Sequence, residues 1–261
     1  MVDGLKAHPG VHEEVERFTR LIAESPNDPS LYLQRALRYQ AHGAIAEAEI
    51  DVRKARERNG VEADLLILLA RIRFEQQRFR NALVLIGEVL EEQPAIPAYL
   101  LRAEIFSAEG KHIDAGRDYD AALELFERPF PAQPDILVKR ARSYVAAGDV
   151  AGALAGLDAG MAETGPLIAL QELALDLEVE SGQLEAAINR LDVILDTAPR
   201  KEGWLVRRGE VLASMGRFAE AERDVLAAER EIARLPVTRR NVPAMQTLLE
   251  RIQRVKARGG E

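Results

Sequence analysis

Cysteine is absent from the 261 residues, which excludes disulfides and thiol chemistry and favours neither redox compartment. Aromatic residues make up only 5% of the chain, and no run of alternating β-branched residues marks a strand. No apolar run approaches the ~18 residues that a membrane-spanning helix needs. The four histidines, His8, His12, His42 and His112, fall in the amino-terminal tail or at inter-helix turns. His8 and His12 lie four residues apart near Glu13 and Glu16, but Pro9 and Gly10 break the helix that would align them, so no metal site is expected. Gly-rich phosphate loops, nucleophile elbows and zinc-protease motifs are missing. Adjacent carboxylates such as Glu91 and Glu92, or Asp118 and Asp120, read as solvated, ion-paired helix faces rather than acid/base pairs. The chain is therefore expected to carry no catalytic residues, no cofactor and no metal.

What is present is a period. Alanine recurs at Ala48, Ala82, Ala115, Ala153, Ala187 and Ala221, at intervals of 34, 33, 38, 34 and 34 residues. Around each alanine a small residue stands twelve earlier, a turn residue five earlier and another small residue seven later. The first unit reads Ala36, Gly43, Ala48, Ala55; the third Ala103, Gly110, Ala115, Ala122; the fourth Ala141, Gly148, Ala153, Gly160; the sixth Gly209, Gly216, Ala221, Ala228. The second unit (Ala70, Gln77, Ala82, Val89) and the fifth (Leu175, Gly182, Ala187, Ile194) depart from the pattern. Two antiparallel helices approach to about 8–10 Å only where the facing side chains are small, and glycine between them accepts the positive φ that reverses the chain. Tyr32, Tyr39, Val52, Tyr99, Phe106 and Tyr119 are expected to fill the core on the flanks of these seams.

The succession of large residue, small residue, aromatic, Gly, Ala, small residue and closing proline (Pro94, Pro199) resembles the tetratricopeptide repeat over roughly residues 29–236. Glu178 and Arg73 stand where an aromatic is usual, and Gln77 replaces a turn glycine, so those units are expected to pack less regularly. The resemblance implies an all-α, right-handed superhelical solenoid of helix-turn-helix repeats, with stability accumulating unit by unit. The expected organisation is an amino-terminal tail and capping helix over 1–28, six repeats over about 29–62, 63–95, 96–133, 134–167, 168–201 and 202–236, and a basic capping helix over 237–261. Val15, Phe18, Leu21 and Ile22 form the apolar stripe of the first cap, and Met245, Leu248, Leu249, Ile252 and Val255 that of the second. The third unit carries an insertion around Pro129, Phe130, Pro131 and Pro134, whose Phe130 is expected to dock on neighbouring units. Met1 to Gly10 lack an apolar leader segment, which as written points to the cytoplasm; a periplasmic or exported protein is the alternative if a leader has been removed.

The resemblance also implies that first helices line a concave groove. First-helix residues pointing away from the seam are Leu33, Gln34 and Leu37, then Ile67, Leu68, Arg71 and Phe74, then Leu100, Leu101 and Glu104. The carboxyl half adds Val138, Lys139 and Arg142, then Glu172, Leu173 and Asp176, then Val206, Arg207 and Glu210. An apolar first half with isolated charge suits an amphipathic helix or an extended peptide with spaced apolar anchors, with Arg71 beside them to fix a partner's carboxylate or backbone carbonyl. Leu33 and Leu37 occupy the places where chaperone-binding members carry a lysine and an asparagine, so a terminal-carboxylate clamp is absent. The expected function is a non-catalytic scaffold that binds a partner protein or peptide. RNA binding by helical repeats and structural self-association are the alternatives, the former disfavoured by the net charge of -8. Positive charge gathers only near the end, at Arg239, Arg240, Arg251, Arg254, Lys256 and Arg258.

Overall fold

The computed structural model describes residues 9–127 and 133–258, with side chains from residue 13 onward; the paired His8 and His12 side chains and the segment at Pro129, Phe130 and Pro131 lie outside the described residues. Fifteen α-helices and no strands occur among the described residues. The chain divides into two compact units, Met1–Thr164 and Gly165–Glu261.

The amino-terminal unit begins with α1 (Pro9–Glu24) and continues as four hairpins: α2 (Pro29–Ala41) with α3 (Ile45–Arg56), α4 (Glu62–Glu75) with α5 (Phe79–Glu92), α6 (Ile96–Ala108) with α7 (His112–Glu124), and α8 (Pro134–Ala146) with α9 (Val150–Thr164). The carboxyl-terminal unit holds two more, α10 (Ile168–Glu180) with α11 (Leu184–Thr197) and α12 (Glu202–Ser214) with α13 (Phe218–Arg234). It ends with a single turn, α14 (Val237–Arg240), and α15 (Pro243–Arg258). Helix starts follow local chemistry. Asp28 caps α2 by accepting from the Ser30 backbone N–H at 2.9 Å, while Pro29 occupies the first turn, where its missing N–H costs nothing.

The seam residues are buried in every hairpin: Ala36 with Ala48 and Ala55, Ala70 with Ala82 and Val89, Ala103 with Ala115 and Ala122, and Ala141 with Ala153 all have 0–1% exposure. Leu175, Ala187 and Ile194 in the fifth hairpin and Ala221 and Ala228 in the sixth are buried as well. Every turn between paired helices has one residue at positive φ: Gly43, Gly110, Gly148, Gly182 and Gly216 at +73 to +83°, and Gln77 at +58°. Gln77 thus keeps the turn of its unit at the cost of a side chain in a left-handed backbone. Among the six hairpins, the fifth packs its two helices least closely. Leu175 and Ile194 stand in its seam, where the other hairpins mostly have small residues that permit close approach.

Hairpin cores are shared with the helix that follows. Tyr32, Ala48, Val52 and Ala55 of the first share a cluster with Leu65, Leu68 and Ile72 of α4, and Ile86 and Val89 of α5 share one with Leu101 and Ile105 of α6. In the carboxyl-terminal unit Val225, Ala228 and Ile232 of α13 pack with Met245, Leu248, Ile252 and Val255 of α15, so α15 stands where the first helix of another repeat would be. Each fully buried Leu or Ile contributes about 1.5–3 kcal/mol. That stabilisation is realised only with the next helix in place.

A second recurring device lies inside the hairpins. The arginine preceding the first seam residue reaches the aspartate three places after the seam alanine, giving Arg35 with Asp51 (2.7 and 2.9 Å), Arg102 with Asp118 (2.7 and 2.7 Å) and Arg208 with Asp224 (2.7 and 2.8 Å). These bonds, outweighing partial burial, push the guanidinium groups of Arg35 and Arg102 above their ordinary value. Asp118 is only 5% exposed, and neighbouring Asp120 is bound by Arg140 and by the Tyr144 hydroxyl. Neither belongs to the solvated face that the sequence suggests. Tyr39, Tyr99 and Phe106 are half-exposed rather than buried, covering the arginines: the Arg102 guanidinium lies 5.5 Å from the Tyr99 ring and 5.9 Å from that of Phe106. Where the aromatic is lost, the ion pairing changes. In the fifth hairpin the pair is reversed, Arg190 of α11 donating to Glu178 of α10 at 3.0 and 2.7 Å, and in the second Arg73 bonds Glu49 while Leu69 and Leu85 stand in the Arg and Asp places. In the fourth hairpin the aspartate position is Gly156, and a Cβ there would lie 1.4 Å from the Arg140 side chain.

Candidate binding faces of the first helices

In the amino-terminal unit the outward side chains of the first helices are tied across neighbouring hairpins. Glu104 of α6 is bound by Arg71 of α4 and, at 2.9 Å, by the Lys139 ammonium of α8; Gln40 of α2 likewise donates to Glu75 of α4. Burial works to raise the Glu104 carboxyl, but the bonds from Lys139 and Arg71 outweigh it and hold it below its ordinary value. Arg71, expected to fix a partner's carboxylate or backbone carbonyl, thus has its Nη1 group on Glu104.

The apolar residues expected on this face divide by depth. Leu33, Leu37, Ile67, Leu100 and Val138 are half-buried, whereas Leu68 and Leu101 are 3% and 0% exposed. Leu68 completes the core of the first hairpin and Leu101 that of the second, so neither presents a surface to a ligand. Two turns further along, Phe74, Glu104, Ser107, His112, Tyr119, Lys139, Arg142, Ser143 and Ala146 surround a cleft of about 500 Å³. Desolvation pushes the Tyr119 phenol up to about 12.

In the carboxyl-terminal unit a larger cleft, about 770 Å³, opens between α10, α12 and the α14–α15 segment. Its apolar lining comes from Ile168, Leu175, Trp204, Val242, Met245 and Leu248, while Gly203 and Ala244 line it without bulk. Trp204 is half-buried and packs on the core beneath. Charged groups ring the cleft. Glu172, Asp176 and Arg207, expected from spacing to share the groove face, do meet there; Arg207 donates to Asp176 at 2.6 Å. Arg251 of α15 grips Glu210 of α12 at 2.8 and 2.6 Å, and Arg200 binds the buried Glu202. Arg239 also lines the cleft, is exposed, and has no side-chain partner among the described residues. Val206, placed on this face by spacing, is buried at 0%.

Sequence reasoning missed Trp204 and the contribution of residues 239–251. The one available signal was that Trp204 is the only tryptophan in the chain. The basic stretch near the carboxyl terminus is partly neutralised, since Arg251 pairs with Glu210 and Lys256 with Glu229 at 2.7 Å. Among the described residues no group of three or more metal-ligating side chains comes together, and no helix is long and apolar enough to cross a membrane.

A scan against protein-family models returned no match, and a search of curated proteins returned none either. Similarity appears among solved structures. The carboxyl-terminal part of a TPR repeat-containing protein from Cytophaga hutchinsonii is 13% identical with a TM-score of 0.62, covering 92% of this chain and 95% of that one. The pilF protein of Pseudomonas aeruginosa is 13% identical with a TM-score of 0.53, over 85% of this chain and 97% of that one. A human IFIT1 dimer with m7Gppp-AAAA is 15% identical with a TM-score of 0.50, over 83% of this chain and 57% of that one. The fold is that of tetratricopeptide-repeat proteins.

Proposed function

We propose that this chain is a protein-interaction module that binds a partner peptide on the exposed face of its first helices, with the principal anchor in the cleft around Trp204. The observation that carries this reading is the cleft itself: a half-buried tryptophan among Ile168, Val242 and Leu248, ringed by ion pairs that fix its rim, with Arg239 left uncommitted. An apolar anchor in such a pocket supplies binding free energy by desolvation, while a fixed polar rim sets orientation. The repeat fold supports an interaction role. The half-buried Leu33, Leu37, Ile67, Leu100 and Val138 extend the recognition surface of the amino-terminal unit with shallow apolar contacts.

The test starts from peptides selected on the intact protein from a displayed random library. Calorimetry with the tightest of them compares the wild type with Trp204→Ala, Arg239→Ala and Val193→Ala, the last on an exposed site of α11. Trp204→Ala should cost about 2 kcal/mol or more and Val193→Ala nothing measurable. Arg239→Ala, at an exposed position, checks the same cleft without disturbing the core. Full affinity in both cleft variants would refute the placement.

A further inference from the structure

The cleft in the amino-terminal unit differs in character from the one around Trp204. Arg142 of α8 is exposed and, like His112 at the start of α7, has no side-chain partner among the described residues, yet both line it. Lys139 lines it too, half-exposed, with one bond to Glu104. Arg71 and Lys139 together already oppose Glu104, the single carboxylate among the residues lining the cleft, so Arg142 is left there without one. That local excess stands out on a chain whose net charge is -8. The walls beside these cations are aromatic and small: Phe74, Tyr119 and Ala146. The hydroxyls of Ser107 and Ser143 also line it but are engaged, the first with the Tyr119 phenol and the second with the Lys139 carbonyl at 3.0 Å.

We infer that this cleft is a second recognition site, selective for an acidic side chain of an extended peptide: the carboxylate lies between Arg142 and His112, and an adjacent apolar residue rests on Phe74 and Ala146. The inference rests on the first-helix face being a peptide-binding surface, but not on the Trp204 cleft. Charge complementarity carries it. A guanidinium with no internal partner offers a planar fork to a carboxylate, and the cleft walls lower the effective dielectric around the pair. The pair formed by Glu104 and Lys139 fixes one wall, so Arg142 is the group left to discriminate.

The experiment is a nitrogen-15 NMR titration of the full chain with two capped peptides, acetyl-Gly-Glu-Leu-Glu-Gly-amide and its counterpart with glutamine in place of each glutamate. The acidic peptide should shift the His112 ring and Arg142 side-chain signals, and bind at least about tenfold more tightly than the glutamine peptide. Arg142→Gln, at an exposed position where folding is retained, should reduce the acidic peptide's affinity to that of the neutral one. Raising ionic strength from about 0.05 to 0.3 M should weaken the wild-type interaction. Equal affinity for the two peptides, no effect of Arg142→Gln, or no shift at His112 and Arg142 up to millimolar peptide would each overturn the inference. A single-stranded oligouridine that moves the same signals at lower concentration would overturn it in favour of nucleic acid. The Trp204 indole signal is recorded in the same spectra, so peptide binding confined to the other cleft removes this site and leaves the broader reading intact.

Discussion

The Arg102 guanidinium grips the Asp118 carboxylate through two parallel bonds, Nε to Oδ2 and Nη2 to Oδ1, both 2.7 Å long, across the interior of one helical hairpin. Asp118 is 5% exposed, so removing only the arginine strands a buried charge. Arg102→Ala should destabilise by about 3–5 kcal/mol, whereas Arg102→Leu combined with Asp118→Leu should be near neutral. The second hairpin already carries that combination as Leu69 and Leu85. Denaturant midpoints of the single and double variants decide the matter, and a double variant as unstable as the single one would mean that the pair is not interchangeable with apolar packing.

The turn residues supply a second test. Gln77 sits at φ +58° where five other hairpins have glycine, and a left-handed backbone costs a residue with a side chain about 1–2 kcal/mol. Offset by the greater freedom of glycine in the unfolded chain, Gln77→Gly should raise stability by about 0.5–1 kcal/mol. Gly110→Ala, at φ +75° with no atom crowding its Cβ position, should lower it by a similar amount through backbone strain alone. Thermal melts of both variants measure the two signs.

Overpacking probes the seams. Ala115 is 0% exposed and faces α6 where the two helices meet. Ala115→Leu should cost about 1–3 kcal/mol, read as a lowered denaturant midpoint with the slope unchanged.

The hairpins were legible because close helix approach admits only small residues, and such a constraint leaves the same trace in every repeat. The turns were legible for the same kind of reason, with Gln77 adopting the conformation that its neighbours assign to glycine. The internal Arg and Asp pairs were not, since residues sixteen apart on two helices look like ordinary surface charges until the hairpin closes. The binding faces were legible in direction but not in depth. Leu68 and Leu101 point toward the same side as Ile67 and Leu100 by spacing, yet the neighbouring helix buries them. The Trp204 cleft depends on the chain turning at Pro236 and Pro243 so that α15 packs beside α12, a path that helical periodicity alone does not encode.

Acid should loosen the first-helix ladder. The folded Glu104 carboxyl is held below its ordinary value of 4.5 by Lys139 and Arg71 despite burial. A lowered folded value means that its contribution is complete above about 4.5 and is lost as pH falls through the depressed value. Melting temperature should therefore drop on acidification below that point, and Glu104→Gln should flatten this acid limb while lowering stability at neutral pH. Identical acid limbs in the two proteins would show that Glu104 plays no part in it.

The most direct test of the interaction reading uses the chain's single tryptophan as its own probe. Trp204 is half-buried in the wall of the larger cleft, so a peptide seated there must remove water from its indole. Emission is recorded during titration with a library-selected peptide that lacks tryptophan. The account predicts a saturable blue shift with the same dissociation constant that calorimetry gives. Calorimetric binding that leaves Trp204 emission unmoved would contradict it.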